Sequence, residues 1–447
     1  MEIFIAGAGA GKTTTMADKI IKLHNEIEEH RIIFCITFTN NAVSCIEKKL
    51  MDYYGEIPGN IMVSTIHSFL YREIIKPYYY LLYNKHYKRI SSAKLPPQNQ
   101  YRNTKITRLE NGDILHQTVI PERAKWVIYK KSADTKEIKT KRDIIKKNFA
   151  QYCGAICVDE TQDIDSDMQK IIEEIHNMNI PVLLMGDPKQ DLKGHKCLNN
   201  LIENYKDNVT YIDICYRCPE KHLNLSNLIV KKSEQQHSSK NGGLISVVFE
   251  SDKPCDELIK ENSFDLLYIS KKQDKYDTHK QIKNYNSISA ISEEIEIIIR
   301  KKRPNLDEFV LQRAAYSCAE KIMRVYKKTG DKSETIKLVF KNIKIEKRDY
   351  GILINLIPDS NVSEKDDKIN LNSIDSIKGK EGENCLFILT SDLAAYMFGD
   401  KDDDNATKNR LYVALTRSLN KLTIFITDKV EKKYGKEKLM DFFAKYI

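Results

Sequence analysis

Long apolar runs are missing from this 447-residue chain. Nothing approaches the ~18 consecutive apolar residues of a membrane helix, and no basic-then-apolar leader opens the sequence. No membrane association is expected, and a cytoplasmic location is. Cysteine is scarce: ten thiols in a chain of this length cannot form a disulfide scaffold and point to a reducing compartment. Internal repeats, long low-complexity tracts and any recognisable nuclease constellation are also lacking. What is present, 41% hydrophobic and 30% charged residues, can bury a sizeable core and is neither disordered nor fibrous. At about 150 residues per domain, roughly three structural units are expected. Lys and Arg number 72 against 63 Asp and Glu, a net charge of +9 with pI near 8.8. That balance suits a polyanionic partner without requiring one.

Short apolar strands alternate with helical stretches, the pattern of parallel sheets covered by helices. Strands are expected at 3–5, 32–36, 62–65, 155–158 and 182–185, then at 245–249, 265–269, 385–390 and 422–427. A tyrosine- and lysine-rich block, 71–150, interrupts the first set, and a Lys-rich helical region, 277–348, interrupts the second. The polar stretch 231–243 (KKSEQQHSSKNGG) reads as a loop, as do 359–367 and 399–405.

Met1 to Ile5 followed by Ala6-Gly7-Ala8-Gly9-Ala10-Gly11-Lys12-Thr13-Thr14 is a strand, a glycine-rich loop and a helix start. Glycines let backbone N–H groups close around phosphate oxygens at a helix N-terminus. In such a loop Lys12 reaches the β and γ phosphates, and Thr13 holds Mg²⁺ through its hydroxyl. Asp159-Glu160-Thr161-Gln162-Asp163 places acids just past a buried strand. One carboxylate there can support the metal and its neighbour can activate water. Cys215 and Cys218 form a C-x-x-C, but no second close pair exists, so zinc is not expected.

The order of motifs resembles the UvrD/Rep/PcrA-like branch of superfamily-one DNA helicases. Ala6 to Thr13 looks like the first motif, Ile36-Thr37-Phe38-Thr39-Asn40-Asn41-Ala42 the next, and Ser64-Thr65-Ile66-His67-Ser68-Phe69 the one after. Asp159 to Asp163 resembles motif two, and Gly186-Asp187-Pro188-Lys189-Gln190 motif three. Tyr216-Arg217 is similar to the fourth, 373–381 to the fifth, and Arg410-Leu411-Tyr412-Val413-Ala414-Leu415-Thr416-Arg417 to the sixth. The series runs nearly the whole chain. Compact proteins of this kind occur as helicase-like subunits of anti-phage defence systems, beside a nuclease.

The resemblance implies an α/β fold of two RecA-like P-loop lobes, each with an inserted, mainly helical subdomain. The first lobe would be 1–70 with 151–205, its insert 71–150, the second lobe 206–276 with 349–447, and its reduced insert 277–348. ATP and Mg²⁺ are the implied cofactors. Ala6, Gly7, Ala8, Gly9, Ala10, Gly11, Lys12, Thr13 and Thr14 would bind phosphate, with Tyr216 stacking on the base and Glu381 near the ribose. Thr13 and Asp159 would hold Mg²⁺, and Glu160 would be the general base. Gln190 would sense the γ-phosphate, while Arg217 and Arg417 would stabilise the transferring phosphoryl group, a role that supplies ~10³–10⁵ in rate. On the DNA side, Phe38 would stack on bases, worth ~1–3 kcal/mol each and tolerant of sequence. Thr37, Thr65, His67, His195 and Lys378 would complete the contacts.

Four departures bear on DNA and base recognition rather than on hydrolysis. Eleven residues precede Lys12 and none is the Gln that reads adenine in the family. Gln190 is followed by Asp191, Leu192, Lys193, Gly194, His195 and Lys196, where only His195 can stack. Asp375 stands where the family has His, which needs a cation such as Lys378 to face a phosphate. The second insert is short. Two functions are therefore open: a 3′-to-5′ translocase or helicase on single-stranded or partly duplex DNA, and a DNA-activated ATPase that switches a partner nuclease with little unwinding.

Overall fold

Strands covered on both faces read as unbroken apolar runs, and two sets of them build this protein. The structure is a computed structural model that describes residues 1–273, 275–278, 285–341, 345–358 and 368–447. The loop expected at 359–367 lies outside the described residues. By density of contacts the chain forms two units: Met1–Tyr78 with Ala124–His279 and Asp367–Ile447, and Tyr79–Arg123 with Lys280–Asp366.

The first unit contains two parallel sheets. In the first, β1 (Glu2–Ala6), β2 (Ile32–Thr37), β3 (Ile61–Thr65), β4 (Cys153–Val158), β5 (Val182–Gly186) and β6 (Val209–Ile212) lie in the order β3-β2-β4-β5-β1-β6. In the second, β7 (Leu244–Phe249), β8 (Leu266–Ile269), β9 (Asn372–Ser373), β10 (Gly382–Leu389) and β11 (Ser418–Ile426) lie in the order β7-β11-β10-β8-β9. These are two RecA-like lobes. The nine expected strands are present; β6 and β9 were not anticipated. β6 (VTYI) is half exposed and pairs only with β1 at the sheet edge, so it lacks the doubly buried signature.

Helices cover the first sheet through short apolar stripes. The helix Lys12–Glu26 buries Met16, Ala17 and Ile20, and Asn40–Tyr54 buries Ile46 and Leu50, four residues apart on one face. Thr39 caps the latter by accepting from the Ala42 N–H at 3.2 Å. Because the strands are parallel, β1, β2, β4 and β5 all deliver their C-terminal loops to one edge of the sheet. That edge is where α/β folds bind ligands.

The second unit is mainly helical, with helices Asn99–Asn111, Glu308–Thr329 and Lys347–Leu356 among its elements. Glu294 is fully buried there between Lys105 (2.6 Å) and Arg108 (2.9 Å). Tyr79 and Tyr87 are buried with ring centroids 5.3 Å apart, so these members of the tyrosine block are packing residues. Among the described residues no helix is long and apolar enough to cross a membrane.

Candidate nucleotide and nucleic-acid site

The loop after β1 turns on two glycines in the left-handed region, Gly9 (φ 70°) and Gly11 (φ 73°). A Cβ on Gly9 would also lie 2.3 Å from Cβ of Arg217. No side chain caps the helix Lys12–Glu26, so its first amides face the loop without a protein acceptor of that kind, the arrangement that receives an anion. Lys12 Nζ donates to the carbonyls of Ala6 (3.4 Å) and Gly7 (3.3 Å) across the same loop.

Asp159 and Glu160 follow β4 directly. Asp159 is 1% exposed and its Oδ1 accepts from the Glu160 N–H at 2.8 Å. Burial, then the Glu160 charge, push the Asp159 carboxyl up, with Lys12 opposing. Burial would also raise Glu160, but Lys12 and Lys378 hold it below the usual range, so it stays a carboxylate. Gln162 donates to Glu160 through Nε2 and accepts from the Asp187 N–H through Oε1 (2.9 Å), joining the second and third motifs. Gln190 Nε2 donates to Asp187 Oδ2 at 2.9 Å. The donor set suits a magnesium nucleotide: a buried and a half-buried acid, a lysine within electrostatic reach of both, and a loop of open amides. Thr13 is half-buried and Thr14 exposed.

Residues distant in sequence reach this loop. The Tyr216 N–H donates to the Gly9 carbonyl at 2.9 Å, and the largely exposed Tyr216 ring would stand 3.8 Å from a Cβ on Gly11. Arg217 Nε pairs with Glu381 Oε2 at 2.6 Å. Gly382 of β10 is in register with Ser418 of β11, which sets Glu381 beside Arg417. Arg417 is buried and donates to the carbonyls of Val413 (3.0 Å) and Lys380 (3.4 Å). Burial, and then the charge of Arg217, lower its pKa. Cys218 donates a hydrogen bond from its N–H to Cys215 Sγ at 3.3 Å, and no cluster of three or more His, Cys, Asp or Glu side chains suited to a metal occurs among the described residues.

The DNA candidates divide. Phe38 is half-buried with Lys193 Nζ 5.9 Å from its ring centroid. Burial lowers the His67 pKa, while Asp165 raises it and Lys193 lowers it further. His195 is exposed. Thr37 is buried with a hydroxyl that has no hydrogen-bond partner, and Thr65 is engaged in capping a short helix, accepting from the Ser68 N–H at 3.4 Å. Lys378 donates to both Asp163 oxygens at 2.7 Å and to the Gln190 carbonyl at 3.1 Å. The cation beside Asp375 is Arg410 (2.8 and 3.1 Å), not Lys378.

Three residues at the loop carry no role in the motif reading. Gln236, in the stretch read as a polar loop, is buried against Ala8 with Tyr412, and Lys189 is buried beside them. Gln236 and Ala8 are 228 positions apart, and no local pattern marks the pairing.

Residues 1–195 match the family model described as an AAA domain. The chain is also similar to Gabija protein GajB of Bacillus cereus (strain VD045), 27% identical over 270 residues, which cover 57% of this chain and 51% of that protein. The match thus spans about half the length of this curated relative. Both findings agree with the UvrD-like resemblance carried by the motifs.

Proposed function

We propose that this protein is a DNA-stimulated ATP hydrolase that moves along single-stranded DNA with 3′-to-5′ polarity. The observation that supports it best is that an uncapped glycine loop with Lys12 and the pair Asp159–Glu160 follow strands of one parallel sheet, with Arg217 packed against Gly9 of that loop.

Lys12 binds the β and γ phosphates with the loop amides, while Thr13 and Asp159 would hold Mg²⁺, which would supply charge neutralisation at the phosphates. Glu160, kept ionised by Lys12 and Lys378, takes a proton from the attacking water. Gln190 reads the γ-phosphate. Arg217 must leave Glu381, and Arg417 its carbonyl partners, before either can reach a phosphate. Hydrolysis therefore requires both arginines to change partners, which couples turnover to a rearrangement around the loop. Tyr216 stacks on the base, and Phe38 with Lys193 and His67 provides a stacking and cationic platform for single strands.

A second reading is a DNA-activated ATPase that switches a partner nuclease in an anti-phage system with little unwinding. The segment after Gln190 favours it. Asp191 accepts from the Lys193, Gly194 and Lys196 N–H groups, folding that segment into a tight turn in which His195 is the one ring that can stack and no Phe, Tyr or Trp separates bases. The similarity to Gabija protein GajB is compatible with this role. Strand displacement measured beside DNA-stimulated hydrolysis decides between them. Stimulation with displacement supports the motor, stimulation without it supports the switch, and hydrolysis indifferent to DNA sinks both.

A further inference from the structure

A closed ring of hydrogen bonds surrounds Ala8 in the phosphate loop. The Ala8 N–H donates to the Tyr412 hydroxyl at 2.9 Å, that hydroxyl donates to Gln236 Oε1 at 3.0 Å, and Gln236 Nε2 donates to the Ala8 carbonyl at 3.4 Å. Both polar groups of the Ala8 backbone are thus taken by side chains from distant parts of the chain, the carbonyl also accepting from the Cys215 thiol at 3.1 Å. The ring is dry, since Ala8, Tyr412 and Gln236 are all buried. It also explains a glycine: a Cβ on Gly7 would sit 2.0 Å from Gln236 Oε1.

The ring is tied to the turn that carries Gln190. Lys189 Nζ lies 5.3 Å from the Tyr412 ring centroid and is clamped between Asp187 (3.0 Å) and Glu234 (3.1 Å), two residues before Gln236. Polar side chains that only fill a core have no reason to select a phosphate loop as their partner. A hydroxyl and an amide that satisfy that loop's own backbone fix its path, and the amides that follow Ala8 are the ones that meet phosphate.

We propose that Gln236 and Tyr412 are positioning residues that hold the phosphate loop in its binding conformation from the second lobe, with Lys189–Glu234 linking the same ring to the Asp187–Gln190 turn. The inference rests on the reading of the Lys12 loop as an ATP site. It makes nucleotide affinity depend on the placement of the second lobe before any arginine engages.

Tyr412→Phe keeps the ring volume and the contact with Lys189 while leaving the Ala8 N–H without its acceptor. Gln236→Leu removes both amide partners at similar volume. Each is expected to raise KM for ATP by about five- to a hundredfold, the range for a buried donor deprived of its partner. The turnover number should stay within about twofold, because no group that touches the reacting atoms is altered. The double variant should be no worse than the poorer single one, since either change opens the same ring. Lys12→Ala is assayed alongside. If Lys12→Ala still hydrolyses ATP, the site itself is misassigned. If Lys12→Ala is inactive while Tyr412→Phe keeps the wild-type KM, the positioning role fails whether or not Gln236→Leu folds. A loss confined to turnover, or multiplicative losses in the double variant, would also overturn it.

Discussion

Lys378 is the residue whose removal should be felt at both the structural and the chemical level. Its ammonium sits 2.7 Å from each oxygen of Asp163 and 3.1 Å from the Gln190 carbonyl, and both side chains of the pair are less than a fifth exposed. The lysine leads into β10 and the aspartate follows β4, so the pair joins the two sheets' ends. Charge-assisted bonds contribute ~1.5–3 kcal/mol each. Much of that is offset by desolvating two ions, so a net coupling of about 2 kcal/mol is expected, while orphaning one partner costs ~3–5 kcal/mol. Burial already raises the Asp163 pKa and Lys378 opposes it. Lys378→Met should therefore destabilise more than the double variant with Asp163→Asn, and a double-mutant cycle on denaturation midpoints and slopes measures the coupling. The chemistry should shift with it. Lys378 helps to hold Glu160 low, so its loss lets Glu160 take up a proton at higher pH, and the acid limb of the ATPase pH profile should move upward. A coupling below about 0.5 kcal/mol, with an unmoved acid limb, would refute the reasoning and leave Lys378 free for the DNA contact expected from its motif.

Three further outcomes follow from the same geometry. Arg217→Ala and Arg417→Ala should each cut turnover by at least about tenfold, and Arg417→Ala should also lower the melting temperature because it strips a donor from the buried carbonyl of Val413; steady-state kinetics with thermal melts check both. Phe38→Ala should depress DNA-stimulated turnover far more than basal turnover, with single-strand affinity falling steeply with salt as Lys and Arg contacts release counterions; equal losses in both rates would instead indicate a damaged core. Gly9→Ala should abolish nucleotide binding in a titration with a fluorescent ATP analogue, since the new Cβ meets Arg217 at 2.3 Å on a backbone that favours glycine.

Much of this site is legible in the sequence because its chemistry is local. Gly9, Gly11 and Lys12 act within one turn, and Asp159 and Glu160 need only a buried strand ahead of them, which Cys153–Val158 announces by its unbroken apolar run. The strands β6 and β9 escape because an edge strand such as VTYI is half solvated and carries no doubly apolar signature. Partners are the larger gap. That Arg410 rather than Lys378 neutralises Asp375, and that Lys378 spans to Asp163, depends on which side chains meet when one sheet faces the other. Gln236 shows the limit most plainly. Its surroundings, KKSEQQHSSKNGG, have the composition of a solvated loop, and tertiary packing alone buries that one glutamine against Ala8.

The central claim, that ATP is hydrolysed at the junction of Lys12 and the Asp159–Glu160 pair, is tested most directly by Glu160→Gln. The substitution leaves the phosphate-binding groups in place and removes the base. ATP affinity and single-turnover hydrolysis are measured on one preparation, with and without single-stranded DNA. Retained affinity with hydrolysis slowed by about a hundredfold or more, the scale of a general base, is the expected result. Hydrolysis near the wild-type rate by Glu160→Gln would contradict it.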